Sequence, residues 1–158
     1  MTPVGSLRAR RVEVPEETDA LAGSSYASAF AVSMPGADAR SAEQWARAVF
    51  ECAPAALRSF VLFGWRYVLG FRLGPRPSPA HVLGWKILSN APDALVLELR
   101  SPFATARKIV RVEHSRVVIS TFVRYERRLG GALWAAVAPV HHRTEPWLLG
   151  HAAARPAG

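Results

Sequence analysis

Hydrophobic and polar residues along this chain follow two different periods, and the switches between them mark out the elements. Residues 24–34 hold Tyr26, Ala27, Phe30 and Val32 in a β-permissive run closed by Pro35 and Gly36, which predicts a first strand. Ser41, Ala42, Glu43 and Gln44 then have the capping-box form, in which Ser accepts from a first-turn amide and Gln reaches back to the cap. The helix it opens places Trp45, Ala48, Val49 and Cys52 on one stripe. Pro54 suits the first turn of a second helix, expected to run to about Leu69 and to be mostly buried. Its face carries Leu57, Phe60, Val61, Gly64 and Val68, widened by Trp65 and Leu69. Three prolines and a glycine over residues 74–79 predict a loop.

From His81 to Glu126 the period becomes two. Strands are predicted over residues 82–88, 94–100, 104–113 and 116–126, separated by turns at residues 90–93, 101–102 and 114–115. Connections this short imply an antiparallel meander. The more apolar alternating set is Trp85, Ile87, Leu95, Leu97, Leu99, Val110, Val112, Ile119, Thr121, Val123 and Tyr125. The opposite set, with Glu98, Arg100, Arg107, Arg111, Arg124 and Glu126, is expected on a solvated face. After Gly130 and Gly131 the helical period returns, with Trp134, Val137, His141, Thr144 and Leu148 on one stripe. Pro139 should kink this helix and Pro146 kink it again or end it. One apolar sheet face laid against an amphipathic helix gives a two-layer α+β domain.

That order resembles the helix-grip fold of the START-like (SRPBCC, Bet v 1-like) superfamily, in which a curved antiparallel sheet wraps a C-terminal helix around an apolar cavity. More narrowly, the chain is similar to an uncharacterised family known as domain of unknown function 2867. The residues carrying the likeness are Gly84, Trp85, Lys86, Ile87 and Leu88, then the run from Ala106 through Lys108 to Val112. It continues through Ile119, Thr121, Val123 and Tyr125 into Leu129 and Gly130, and ends at Pro139, Val140, His141, His142 and Arg143. It covers roughly residues 20 to 150, and it lies in the order and spacing of these residues rather than in one sharp motif. The family brings no catalytic residue with it. The superfamily implies binding or transformation of an apolar, often polycyclic, molecule, by fold-level analogy alone.

Length and composition narrow the classes. The 158 residues suit one domain, expected over residues 21–150 between an N-terminal arm (1–20) and a tail (151–158) that frays. Cys52 is the single cysteine, which excludes a disulfide framework and multi-cysteine metal sites. Residues 1–14 lack the apolar core of a secretory signal, and no uncharged apolar run reaches the length of a membrane span. The expectation is a cytoplasmic monomer or homodimer. The net charge of +8 raises nucleic acid as a partner, but the only cationic clusters are Arg8, Arg10 and Arg11, and Arg124, Arg127 and Arg128. The remaining arginines alternate with glutamates, so specific nucleic-acid binding is disfavoured.

With the apolar sheet face turned to the last helix, Lys108, Thr121 and Tyr125 point inward and His141 approaches from the helix. A few convergent polar groups in an apolar pocket form the usual small-molecule site. A buried Lys or His has its charged form disfavoured, so Lys108, Tyr125 and His141 are the candidates for proton transfer. Each also has a structural alternative: a snorkelling Lys108, strand-forming Thr121 and Tyr125, and a His141 bonded to a carbonyl freed by Pro139. Trp65, Trp85 and Trp134 are candidate stacking surfaces, with Leu97, Val110, Thr121, Val123 and Val137 completing the predicted lining. His141 and Glu145 could share a helix face, but two ligands do not make a metal site. No nucleophile motif or phosphate loop is present, and no cofactor is expected. The leading expectation is a binder of a small hydrophobic molecule; the rivals are an acid–base enzyme of polyketide-cyclase type and a basic interaction module.

Overall fold

The computed structural model describes residues 8–155. Seven strands form one antiparallel sheet: β1 (Arg10–Val12), β2 (Tyr26–Ser33), β3 (His81–Val82), β4 (Trp85–Ala91), β5 (Ala94–Arg100), β6 (Ala104–Val112) and β7 (Arg116–Tyr125). Their spatial order is β1-β2-β7-β6-β5-β4-β3, so the first predicted strand closes back against the last. Helices α1 (Ala42–Phe50) and α2 (Ala55–Phe63) lie between β2 and β3, and α3 (Arg128–Ala154) follows β7. The architecture is α+β and helix-grip-like: a curved sheet holding a long C-terminal helix, with the short helices after β2.

Alternation decides the faces. Leu95, Leu97, Leu99, Val110, Val112, Ile119 and Val123 lie in one core with Trp45, Val49 and Phe50 of α1 and Trp134, Leu148 and Leu149 of α3. Ser41 caps α1 as expected: its Oγ accepts from Gln44 N (3.1 Å) and its own N–H donates to Gln44 Oε1 (2.8 Å). The guanidinium of Arg40 lies over the Trp45 ring and donates to Ala152 O and Arg155 O, tying the end of α3 to the start of α1. α3 runs without a break through Pro139 and Pro146, so neither proline ends it.

Several expectations are corrected. The predicted strand over residues 82–88 is a hairpin, because Leu83 (φ 44°) and Gly84 (φ 87°) turn the chain between β3 and β4. The second helix is not mostly buried: no residue of α2 is, and Phe60 and Phe63 are more than half exposed, because no further layer covers them. Beyond Phe63 it widens into a π-helical turn (Gly64–Val68), with Leu69 N donating to Gly64 O at 3.0 Å. Cys52 is exposed in the turn after α1 rather than packed on its apolar face, since the buried stripe runs through Ala42, Trp45, Ala46, Val49 and Phe50.

The outer sheet face is not wholly solvated. The segment before β2 crosses it, packing Val14, Ala20 and Leu21 against Val96, Ile109 and Phe122. Glu17 pairs with Arg111 at 2.6 Å, and Glu98, only 6% exposed, is held by Arg100 and Arg107. The chain therefore joins the sheet at β1, ahead of the expected point near Leu21. At the other end α3 is helical to Ala154, where a fraying tail was expected from residue 151; residues 1–7 and 156–158 lie outside the described residues.

Candidate functional site

The cross-strand register places Leu97, Lys108, Thr121 and Ser28 in one row across β5, β6, β7 and β2. Three of the four are polar, so a polar stripe crosses an otherwise apolar face. Above it, His141 and Glu145 stand one turn apart on the inward side of α3. Lys108 Nζ donates to Thr121 Oγ1 (2.8 Å) and to Glu145 Oε1, and Thr121 Oγ1 donates to Glu145 Oε2 (3.2 Å). Lys108 and Glu145 are each 3% exposed, so this ion pair is fully internal. Aromatic faces replace part of the lost water, with the ammonium 5.7 Å from the Phe50 ring centre and 5.5 Å from that of Trp85.

The electrostatics follow from burial. Loss of water pulls Lys108 below its ordinary pKa, against the attraction of Glu145. Burial alone would raise Glu145; the charge of Lys108, together with His141 and the bonds from Lys108 and Thr121, holds it below the usual carboxylate range. His141 is pushed down to about 4, chiefly by desolvation, with Glu145 opposing and Lys108 adding to the shift. It is therefore neutral near pH 7. Its Nε2 lies 3.1 Å from Glu145 Oε2 but off the line a hydrogen bond requires, and is left buried without a partner. Behind it, the Tyr26 hydroxyl donates to Ser28 Oγ (2.8 Å) and lies 2.5 Å from His142 Nε2.

A cavity of about 260 Å³ opens beside this cluster, between α2 with its π-turn and the middle of α3. Phe50, Phe60, Val61, Phe63, Trp65 and Val68 form one wall, and Val137, Val140, His141, Thr144, Glu145 and Leu148 the other. Lys108 is its only contribution from the sheet. The result is an apolar pocket whose floor carries a Lys, a Glu and a neutral His. It can hold an apolar body by desolvation and orient one polar group.

Of the residues predicted from sequence, Lys108, His141, Trp65 and Val137 line the cavity. Thr121 lies just beneath, bonded to both Lys108 and Glu145. Trp85 is behind the wall, edge-on to Trp65 at 5.5 Å, and Trp134 packs against Tyr26 and His141. Leu97, Val110 and Val123 do not line it. They are fully buried in the packed core, because the space opens at the α2–α3 edge rather than over the middle of the sheet. Tyr125 does not join Lys108 and His141 either: four residues beyond Thr121 on β7 it is about 13 Å further along the strand, its ring against Gly131. His141 makes no hydrogen bond to a freed carbonyl among the described residues.

Sequence reasoning missed Glu145 as a partner of Lys108. The inward placement of Glu145 was readable, since it falls four after His141 on the stripe of α3, although its pairing with Lys108 was not. Tyr26, His142 and the exposed phenylalanines of α2 were missed as well. A third His, Cys, Asp or Glu ligand beside His141 and Glu145 is absent among the described residues.

Residues 20–145 match the family described as Protein of unknown function (DUF2867). The chain belongs to that family. No curated protein and no solved structure matched it. The family match spans β2 through the first two-thirds of α3, so Lys108, Thr121, His141 and Glu145 all lie within it. No single helix among the described residues is long and apolar enough to cross a membrane.

Proposed function

We propose that this DUF2867 protein binds a small hydrophobic molecule in the cavity between α2 and α3. The observation that carries the reading is the cavity's make-up: aromatic and aliphatic walls, an open mouth, and a buried polar floor. A floor that carries an ion pair is costly to hold in an apolar setting, and packing alone does not call for it. The helix-grip-like arrangement supports placing the family within the START-like superfamily, whose members hold apolar ligands between sheet and C-terminal helix; here the cavity lies at the α2–α3 edge.

Binding is tested by titrating the protein with polycyclic aromatic and acyl compounds while following melting temperature and tryptophan emission. Trp65 lies in the wall, so an occupied cavity shifts its emission and raises the melting temperature with the logarithm of ligand excess. Absence of both changes across the set defeats the reading.

The floor also favours a second reading, an acid–base enzyme of cyclase type working in the same cavity without a metal or nucleotide cofactor. A neutral His141 beside an ionised Glu145 is a proton acceptor held in a dry site, and Lys108 is a donor. In that case His141→Gln abolishes turnover while ligand affinity falls by no more than the loss of one hydrogen bond, about tenfold. Equal loss of both, or of neither, rejects it.

A further inference from the structure

The floor of the cavity is balanced in charge, and that balance bears on what can occupy it. Lys108 is matched by Glu145, each almost wholly buried, and His141 is neutral. A carboxylate or ammonium brought into this space would lose its hydration and meet no net opposite charge, so its desolvation would stand uncompensated. An uncharged oxygen meets no such cost. Two of the three Nζ donors of Lys108 are used, on Thr121 and Glu145, and the third is free to donate to an incoming oxygen. Glu145 keeps acceptor capacity beyond its bonds to Lys108 and Thr121, and the buried Nε2 of His141 has no hydrogen-bond partner among the described residues. A ligand hydroxyl could therefore both accept and donate there, and a ligand carbonyl could accept.

We infer that the cavity selects uncharged apolar molecules carrying a hydroxyl or carbonyl oxygen, which docks on Lys108, Glu145 and His141, and that it discriminates against the corresponding acids and amines. This rests on the reading of the cavity as an apolar binding site and adds the class of ligand to it.

A matched naphthalene series tests it on the intact protein by isothermal titration calorimetry at pH 7, using naphthalene, naphthol, a methyl naphthyl ketone, naphthoate and naphthylmethylamine. Naphthol and the ketone should bind about tenfold more tightly than naphthalene, the worth of one charge-assisted hydrogen bond. Naphthoate and the amine should bind more weakly than naphthalene. If naphthalene matches the oxygen-bearing compounds, or if naphthoate or the amine binds best, the inference fails while apolar binding stands. If nothing in the series binds, both fail. Glu145→Gln supplies an independent measurement, because it leaves the charge of Lys108 unmatched: the preference should swing to naphthoate. A folded Glu145→Gln variant that still rejects naphthoate overturns the charge-balance argument, and the wild-type series decides the matter if that variant does not fold.

Discussion

Lys108 and Glu145 contribute most at the residue scale because each is tolerable only in the presence of the other. Removing one partner leaves an uncompensated buried charge. Lys108→Met or Glu145→Leu alone should each lower unfolding free energy by about 3–5 kcal/mol. The double variant, apolar throughout, should lose much less than the sum, so a double-mutant cycle by urea denaturation shows strong coupling. Additive losses would mean that the two side chains do not form a pair in solution. His141 sets the pH response of the same cluster. Its folded pKa is about 4 against an ordinary 6.5, so the unfolded chain takes up a proton that the folded protein refuses. The contribution is full above pH 6.5, declines as pH falls through that window, and is exhausted near pH 4. It is on the order of 3 kcal/mol. His142, lowered by its own burial and by Arg11, acts in the same direction. Denaturant midpoints at pH 7.5 and pH 5 should therefore differ more for the wild type than for His141→Gln. An identical pH slope in the two would show that His141 is not the group responsible.

At the scale of elements, the start of α3 is fixed by how closely it approaches the turn before β6. A Cβ at Gly130 would collide with the carbonyl oxygen of Phe103, which already accepts from Glu126 N (2.9 Å) and cannot withdraw. At Gly131 the added carbon would meet only the ring of Tyr125 at 3.1 Å, and a side chain can turn aside. Gly130→Ala should thus lower the melting temperature sharply, and Gly131→Ala by a few degrees at most, as thermal unfolding followed by circular dichroism will show. A mild Gly130→Ala variant would mean that the helix start can shift away from the sheet. The same elements show what was legible in the sequence. β5, β6 and β7 could be read to within a residue or two because one face is packed and the alternation is strict. The β3–β4 hairpin was hidden inside the apolar run around Gly84, where an isolated glycine was the only sign of a turn. For α2, periodicity identified an apolar face but could not say whether anything covers it. The contact of Lys108 with Glu145 joins residues 37 apart in sequence, and no local pattern reports such a pairing. Likewise, burial of Glu98 on the outer face depends on arginines and on a segment that reaches the sheet from the far end of the chain.

Across the whole molecule the two walls of the cavity differ in how firmly they are held. The sheet, α1 and the later turns of α3 share one packed core. By contrast, α2 and its π-turn bury no residue, and they present Phe60, Phe63, Tyr67 and Val68 to solvent. Segments with little buried apolar surface open at low free-energy cost, so the α2 wall should be the one that yields to admit a ligand. Amide hydrogen exchange should find α2 and the π-turn exchanging well before β6 and β7 in the free protein. Adding naphthol should slow exchange at residues 55–68 and leave the central strands unchanged, because a bound ring replaces the solvent against Phe60, Val61 and Trp65. Phe63→Ala should weaken that protection while costing little stability, since its side chain is more than half exposed. Protection of α2 equal to that of β6 without ligand would show the wall to be rigid, and entry would then have to occur through the existing mouth alone. If the ligand slowed exchange in β6 instead, its binding place would lie over the sheet and not at the α2–α3 edge.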